Sequence, residues 1–162
     1  MTVTQAEKPS EKPRAKLPEG YTIRRIQADD YERGVLKTLE CLTEVGDISK
    51  EEYTETIEFW ESQEGYNTLV ILDDKDQVAG VGTLMIERKL IHRCSKIGHI
   101  EDISISDNHQ GKGLGKFLIQ SLTDMSKEKG CYKTILDCAT KNEGFYEACG
   151  LKNVGSEMEI RH

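Results

Sequence analysis

The chain has 162 residues, room for one domain with a hydrophobic core, and its composition gives no sign of a second. A formal net charge of -7 excludes a broad basic face for sequence-independent binding of nucleic acid. No apolar run approaches the ~18 residues of a membrane span, and the first residues lack the apolar core of a signal peptide.

The chain therefore reads as soluble and cytoplasmic, with neither nucleic acid nor membrane as partner. Its acidic surface still suits a cationic acceptor. Cys41, Cys94, Cys131, Cys138 and Cys149 are an odd number with no CxxC pair, which argues against a disulfide framework and against zinc. No metal is expected.

Pro9, Pro13 and Pro18 fall in a stretch otherwise rich in Lys, Glu, Ala and Thr, so residues 1–19 read as a disordered leader. The leader mixes acids with bases and lacks the acid-poor character of a transit peptide. The folded domain is expected over residues 20–162. A short strand, Tyr21 to Gln27, puts Tyr21 and Ile23 on one face, and Asp29-Asp30 marks a helix start. Val35, Leu36, Leu39 and Leu42 follow at helical spacing. Ser49 and Glu52 form a capping-box pattern ahead of a second helix carrying Tyr53, Ile57 and Trp60. Trp60 belongs to the core or an interface rather than to a ligand site.

The strings NTLVILDD and QVAGVGTLMIERKLI flank a polar turn from Asp73 to Asp76 and predict two long strands in a hairpin. A loop from His92 to Ile97 leads to a third central strand, Gly98 to Ile105. Next come DNHQGKGLG and a helix with Leu114, Leu118, Leu122 and Met125 on one face. Cys131 to Cys138 predicts a further strand, Glu143 to Cys149 a short helix, and LKNVGSEMEIRH a last strand. The sum is an α/β domain of the α+β type, a mixed, largely antiparallel central sheet flanked by helices.

The chemical signal sits where a strand, a loop and a helix meet. Gly111, Gly113 and Gly115 let the backbone turn tightly at a helix N-terminus, where unpaired N–H groups and the positive end of the dipole favour phosphate oxygens. A glycine-rich turn without ligand is the competing reading. Two commoner nucleotide loops fail on spacing. Gly115-Lys116 is followed by Phe117 rather than Ser or Thr, and the three glycines give GxGxG rather than GxGxxG.

Gln110, Gly113 and Gly115 do fill the pattern Q/R-x-x-G-x-G/A, and here the chain resembles the GNAT superfamily of N-acetyltransferases over residues 20–162. The strings IERKLIH, GHIEDISI, QGKGLGK, CYKTILDC and GFYEACG, in that order, resemble the glucosamine-6-phosphate N-acetyltransferases within it. The resemblance implies the GNAT fold, with a fourth strand bulged and splayed from the fifth. It implies acetyl-CoA as co-substrate, its pantetheine arm bonded to the backbone of Ile103, Ser104 and Ile105. Its pyrophosphate would lie on Gln110, Gly111, Lys112, Gly113, Leu114 and Gly115. The Ile103 N–H would stabilise the oxyanion formed as an amine attacks the thioester.

The implied acceptor is the 2-amino group of glucosamine 6-phosphate, attacking acetyl-CoA directly in a ternary complex. This is a step towards UDP-N-acetylglucosamine. Direct attack requires no cysteine intermediate, and no histidine is paired with Cys138 by sequence. Tyr146 would donate to the leaving CoA sulfur, and Asp137 would orient the sugar and its amine. Glu101 and Asp102 would line the same pocket, only one of the two side chains facing it, since neighbours on a strand alternate. Lys89, His92, Lys133 and Arg161 match positions that contact the sugar phosphate, and Thr43 one that closes over the substrate. The resemblance also implies a homodimer in which Tyr132, Lys133 and Arg161 reach the partner's site. Rival functions are acetylation of a protein or polyamine amine, and CoA binding without catalysis.

Overall fold

The computed structural model describes residues 13–162. Five strands lie side by side in chain order: β1 (Thr22–Arg25), β2 (Tyr66–Leu72), β3 (Val78–Arg88), β4 (Lys96–Ile105) and β5 (Cys131–Ile135). The first three pairings are antiparallel and the last is parallel. A parallel neighbour needs a crossover connection, and the helix α4 (Leu114–Glu128) supplies it.

Both faces of the sheet are covered, which is why β2 reads as a continuous apolar run rather than an alternation. Leu69 and Ile71 pack with Leu84, Ile100, Leu114, Leu118 and Leu122 under α4. Val70 and Leu72 join Val35, Tyr53, Ile57, Val78 and Val81 on the other face. There the covering helices are α1 (Val35–Glu40) and α2 (Lys50–Ser62). The capping box at the start of α2 forms as its sequence requires: Ser49 Oγ accepts from the Glu52 N–H, and the Glu52 carboxylate accepts from the Ser49 N–H. Trp60 stacks on Tyr66 with ring centres 5.8 Å apart, at the edge of this second core.

Several elements differ from expectation. The Asp29-Asp30 start forms a short 3-10 turn, Ala28–Tyr31, because the fully buried Asp30 is clamped by Arg24 through bonds of 2.7 and 2.8 Å. Helix α1 ends at Glu40, so Leu42 falls outside the apolar stripe and is exposed. Between β3 and β4 the chain makes a single tight turn, α3 (Ile91–Cys94), with His92, Arg93 and Cys94 all left-handed. The last strand does not form: residues 151–162 carry no regular structure, and Val154, Met158 and Ile160 face solvent. A strand exists only with a ladder partner, and this segment has none among the described residues.

At the other end, residues 1–12 of the expected leader lie outside the described residues. Packing begins ahead of Gly20: Arg14 pairs with Asp124, the Ala15 N–H donates to Gln120 Oε1 at 2.8 Å, and Leu17 lies against the core under α4. Among the described residues no helix is long and apolar enough to cross a membrane.

Candidate active site

The strand-loop-helix junction has the form expected of an anion site. After β4 comes a short 3-10 turn, Asp107–His109, then Gln110 in extended conformation. Gly111 and Gly113 follow with φ of 74° and 80°, in the left-handed region. A side chain at either would meet nothing within 4 Å, so glycine is required there by conformation and not by space. Gly113 is the N-cap of α4 and brings no capping side chain, and the first turn holds no acidic residue. The leading N–H groups of a fifteen-residue helix are thus left for an anion. Gln110 instead braces the loop from within, its amide donating to the Ile105 carbonyl at 3.3 Å and to Asp107 Oδ1 at 3.1 Å.

Ahead of this loop, β4 parts from β5. The two are paired from Lys96 to His99 against Cys131 to Ile135, and from Ile100 onward β4 has no strand partner on that side among the described residues. On its other side the register to β3 slips: Val81 faces Ser104 but Thr83 faces Glu101, so Gly82 opposes both Asp102 and Ile103. This is a β-bulge, with Asp102 left-handed at φ 53°, a conformation Asp tolerates better than most residues. The bulge and the splay together leave the β5-facing edge at Ile103 to Ile105 without a strand partner among the described residues. The side chains of Ile103 and Ile105 pack into the core under α4, in space left by Gly82 and Gly80, while Ser104 turns to the opposite face and donates to the Thr38 carbonyl. These three residues are structural through their side chains.

Three carboxylates meet at the opening. The Glu101 carboxyl is held above its ordinary range, first by loss of solvation, then by repulsion from Asp102 and Asp137, with His99 opposing. The strict alternation expected for Glu101 and Asp102 is suspended by the left-handed residue between β4's two halves. Asp137 follows the end of β5 and lines a groove of about 440 Å³ together with Lys133, Cys138, Tyr146, Leu151 and Glu157. Tyr146 sits on α5 (Glu143–Ala148), half-buried against the core. Burial, with Cys138 and Cys149 adding to it, pushes its hydroxyl up from the ordinary tyrosine value, so it stays a proton donor. The Cys138 thiol is also pushed up, by lost solvation and then by Glu143 and Asp137, which withholds the thiolate a covalent route would need.

A GNAT acetyltransferase family profile matches residues 22–151, spanning the glycine loop, the bulged strand and the tyrosine helix. The chain belongs to the GNAT acetyltransferase family. Among its relatives, the glucosamine 6-phosphate N-acetyltransferase of Candida albicans is 49% identical over 90% of this chain and 98% of its own. The Arabidopsis thaliana enzyme of the same name is 35% identical over 88% and 97%. The crystal structure of glucosamine-6-phosphate N-acetyltransferase from Arabidopsis thaliana superposes with a TM-score of 0.85 at 36% identity, covering 88% of this chain and 99% of that one. A Trypanosoma brucei acetyltransferase structure gives 0.81 at 31% identity, covering 88% and 99%. These matches place the chain in the glucosamine 6-phosphate N-acetyltransferase branch of the GNAT family.

The cations expected at the sugar phosphate do not gather around Asp137 within one chain. Of the expected cations Lys133 shares its groove, which Lys152 also lines. Lys89 pairs with Glu87 at 2.6 Å, and His92 lies against the Tyr132 ring, 4.7 Å between centres. Arg161 pairs with Glu159 at 2.8 Å on the exposed tail, and Thr43 stands exposed just beyond α1. Sequence reasoning missed the contacts behind the glycine loop, where Tyr21 Oη meets His109 Nδ1 at 2.7 Å across 88 residues. No local spacing signals such a pair.

Proposed function

We propose that this chain transfers the acetyl group of acetyl-CoA to the 2-amino group of D-glucosamine 6-phosphate, giving N-acetyl-D-glucosamine 6-phosphate and CoA. The observation that carries this reading is the 49% identity to the Candida albicans enzyme over 98% of that enzyme's length. The junction geometry supports the cofactor half. The N-terminus of α4 takes the pyrophosphate through Gln110 to Gly115, and the freed backbone of Ile103, Ser104 and Ile105 takes the pantetheine arm as an added strand.

Chemistry follows from position. The amine attacks the thioester carbonyl while both are held, with no enzyme nucleophile. The Ile103 N–H, released from the ladder by the bulge, faces the developing oxyanion. Asp137 orients the amine, and the crowded carboxyls of Glu101 and Asp102 share the wall on which the substrate ammonium loses its proton. Tyr146, kept protonated by its surroundings, donates to the departing CoA thiolate. In this reading the phosphate is held by Lys89, His92 and Lys133 with Tyr132 and Arg161, several of them arriving from a second copy of the chain, and Thr43 closes over the sugar. The product feeds UDP-N-acetylglucosamine synthesis in the cytoplasm.

The test is a free-thiol release assay with acetyl-CoA and a panel of glucosamine 6-phosphate, glucosamine, spermidine and a lysine peptide. The phosphorylated sugar should be preferred over glucosamine by at least about 100-fold in kcat/KM, the loss expected when a site built for a phosphate is left unpaired. Preference for spermidine or the peptide would replace the acceptor. CoA binding without turnover on any amine would replace the activity.

A further inference from the structure

The glycine loop has little packing to hold it, since the positions on either side of Lys112 are open. What fixes Lys112 is polar. Its Nζ donates to Tyr21 Oη at 3.1 Å and lies 5.8 Å from the centre of that ring. Tyr21 Oη is in turn 2.7 Å from His109 Nδ1, with the two rings edge to face at 5.6 Å. His109 Nε2 stands 3.5 Å from Asp73 Oδ2. Asp73 is anchored through its other oxygen, which accepts the N–H groups of Lys75 and Gln77 at 2.9 Å each. The histidine and aspartate side chains are 19% and 13% exposed, so water competes weakly at that end, whereas the Lys112–Tyr21 bond lies at the surface.

A lysine ammonium only donates, so Tyr21 Oη accepts from it and keeps its own proton to give to His109 Nδ1. With that proton given, Nδ1 accepts and the ring proton sits on Nε2, on the side of Asp73, the arrangement that the two His109 substitutions below discriminate. Lys112 keeps two further donors, on a residue that lies directly before Gly113, the N-cap of α4. The strut therefore joins the β2–β3 turn, the start of β1 and the loop, and it orders a long flexible side chain before any ligand arrives. Ordering in advance removes an entropy cost from binding.

We propose that Tyr21, His109 and Asp73 are positioning residues that hold Lys112 in its phosphate-binding pose and thereby set the affinity for CoA. This rests on the acetyl-CoA reading and is independent of the acceptor. None of the three is placed against the reacting atoms, so the effect belongs in cofactor affinity and leaves the chemical step alone.

The experiment is calorimetric titration of CoA into the full-length protein and its variants, with steady-state kinetics alongside. Tyr21→Phe keeps the ring and its packing and deletes one oxygen. His109→Gln keeps a donor towards Asp73 and loses the acceptor for Tyr21, whereas His109→Asn places an amide oxygen where Nδ1 accepts. Y21F and H109Q should weaken CoA binding about 3- to 20-fold and raise KM for acetyl-CoA by the same factor, with kcat and the acceptor KM within about twofold. H109N should bind CoA within about twofold of the parent. In a Lys112→Met background, Tyr21→Phe should cost nothing further, since its route to the ligand is gone. The proposal is overturned by Y21F binding CoA as tightly as the parent, by an undiminished Y21F penalty beside K112M, or by H109N as impaired as H109Q. Parent protein that fails to bind CoA at all would strike the acetyl-CoA reading itself, and a wrong acceptor would appear only in the turnover panel.

Discussion

Tyr146 and Glu101 show how surroundings assign work to ordinary side chains. Tyr146 is half-buried and its proton is held more firmly than in water, which suits donation to a thiolate that forms only as the thioester breaks. Tyr146→Phe is expected to lower kcat about 10- to 100-fold while KM for acetyl-CoA moves less than about twofold. Steady-state kinetics at saturating acceptor checks this, and unchanged turnover would remove the hydroxyl from the mechanism. For Glu101 the sign runs the other way from the usual paired carboxylate. Its folded pKa is raised, by lost solvation and then by Asp102 and Asp137, so the native state binds the proton more readily than the unfolded chain. The penalty is absent below the ordinary carboxyl range and grows as pH rises through the raised value. Glu101→Gln should therefore raise the thermal midpoint at pH 7 to 8, with the gain fading towards pH 4, and should lower turnover. A midpoint gain equally large at pH 4 would show that charge is not its source.

At the scale of elements, what could be read in advance was whatever depends on neighbours in sequence. The Ser49–Glu52 box is one such case, and Ser49→Ala should cost about 1 kcal/mol in urea denaturation. The two-sided burial of β2 and the apolar stripe of α4 are others, because a 3.6-residue or unbroken pattern is written locally. The bulge at Asp102 was not readable from GHIEDISI by itself, since it is defined by the register against Gly82 on another strand. It came only through family resemblance. The last strand failed for the complementary reason: LKNVGSEMEIRH alternates at Met158 and Ile160 but has no ladder partner among the described residues. Close approach of helix to sheet is equally non-local. Gly98 lies where α4 crosses β4, and a Cβ there would run into Ser126, which is fully buried and accepts a hydrogen bond of 2.8 Å from the Thr134 hydroxyl. With Leu84 on the other flank at 2.9 Å, Gly98→Ala should destabilise by about 1–3 kcal/mol through overpacking, measurable by the same denaturation. A neutral result would mean that α4 can shift away from the sheet at no cost.

For the whole molecule, the distribution of charge poses the main question. The carboxylates and the tyrosine converge at the splay, yet Arg161 sits on an exposed tail, and His92 and Tyr132 lie together beyond it. A chain of net charge -7 does not hold a sugar phosphate by its general field, so the task falls to local cations, of which Lys133 and Lys152 line the groove within one chain. In the proposed reading a second copy of the chain supplies the others. The tail, which has no ladder partner among the described residues, exposes Val154, Met158 and Ile160, and Tyr132 and Ile91 are exposed as well, an apolar surface suited to pairing with a twofold mate. Under twofold symmetry each site would draw Asp137 from one subunit and Arg161 from the other. Mixing Arg161→Ala with Asp137→Ala subunits, each inactive alone, then rebuilds one intact site in every mixed dimer, and random exchange should restore about a quarter of parental activity. Activity that stays at the level of the separate variants, in a mixture shown by tagged co-purification to contain mixed dimers, would place Arg161 and Asp137 in the same subunit's site or leave Arg161 outside it.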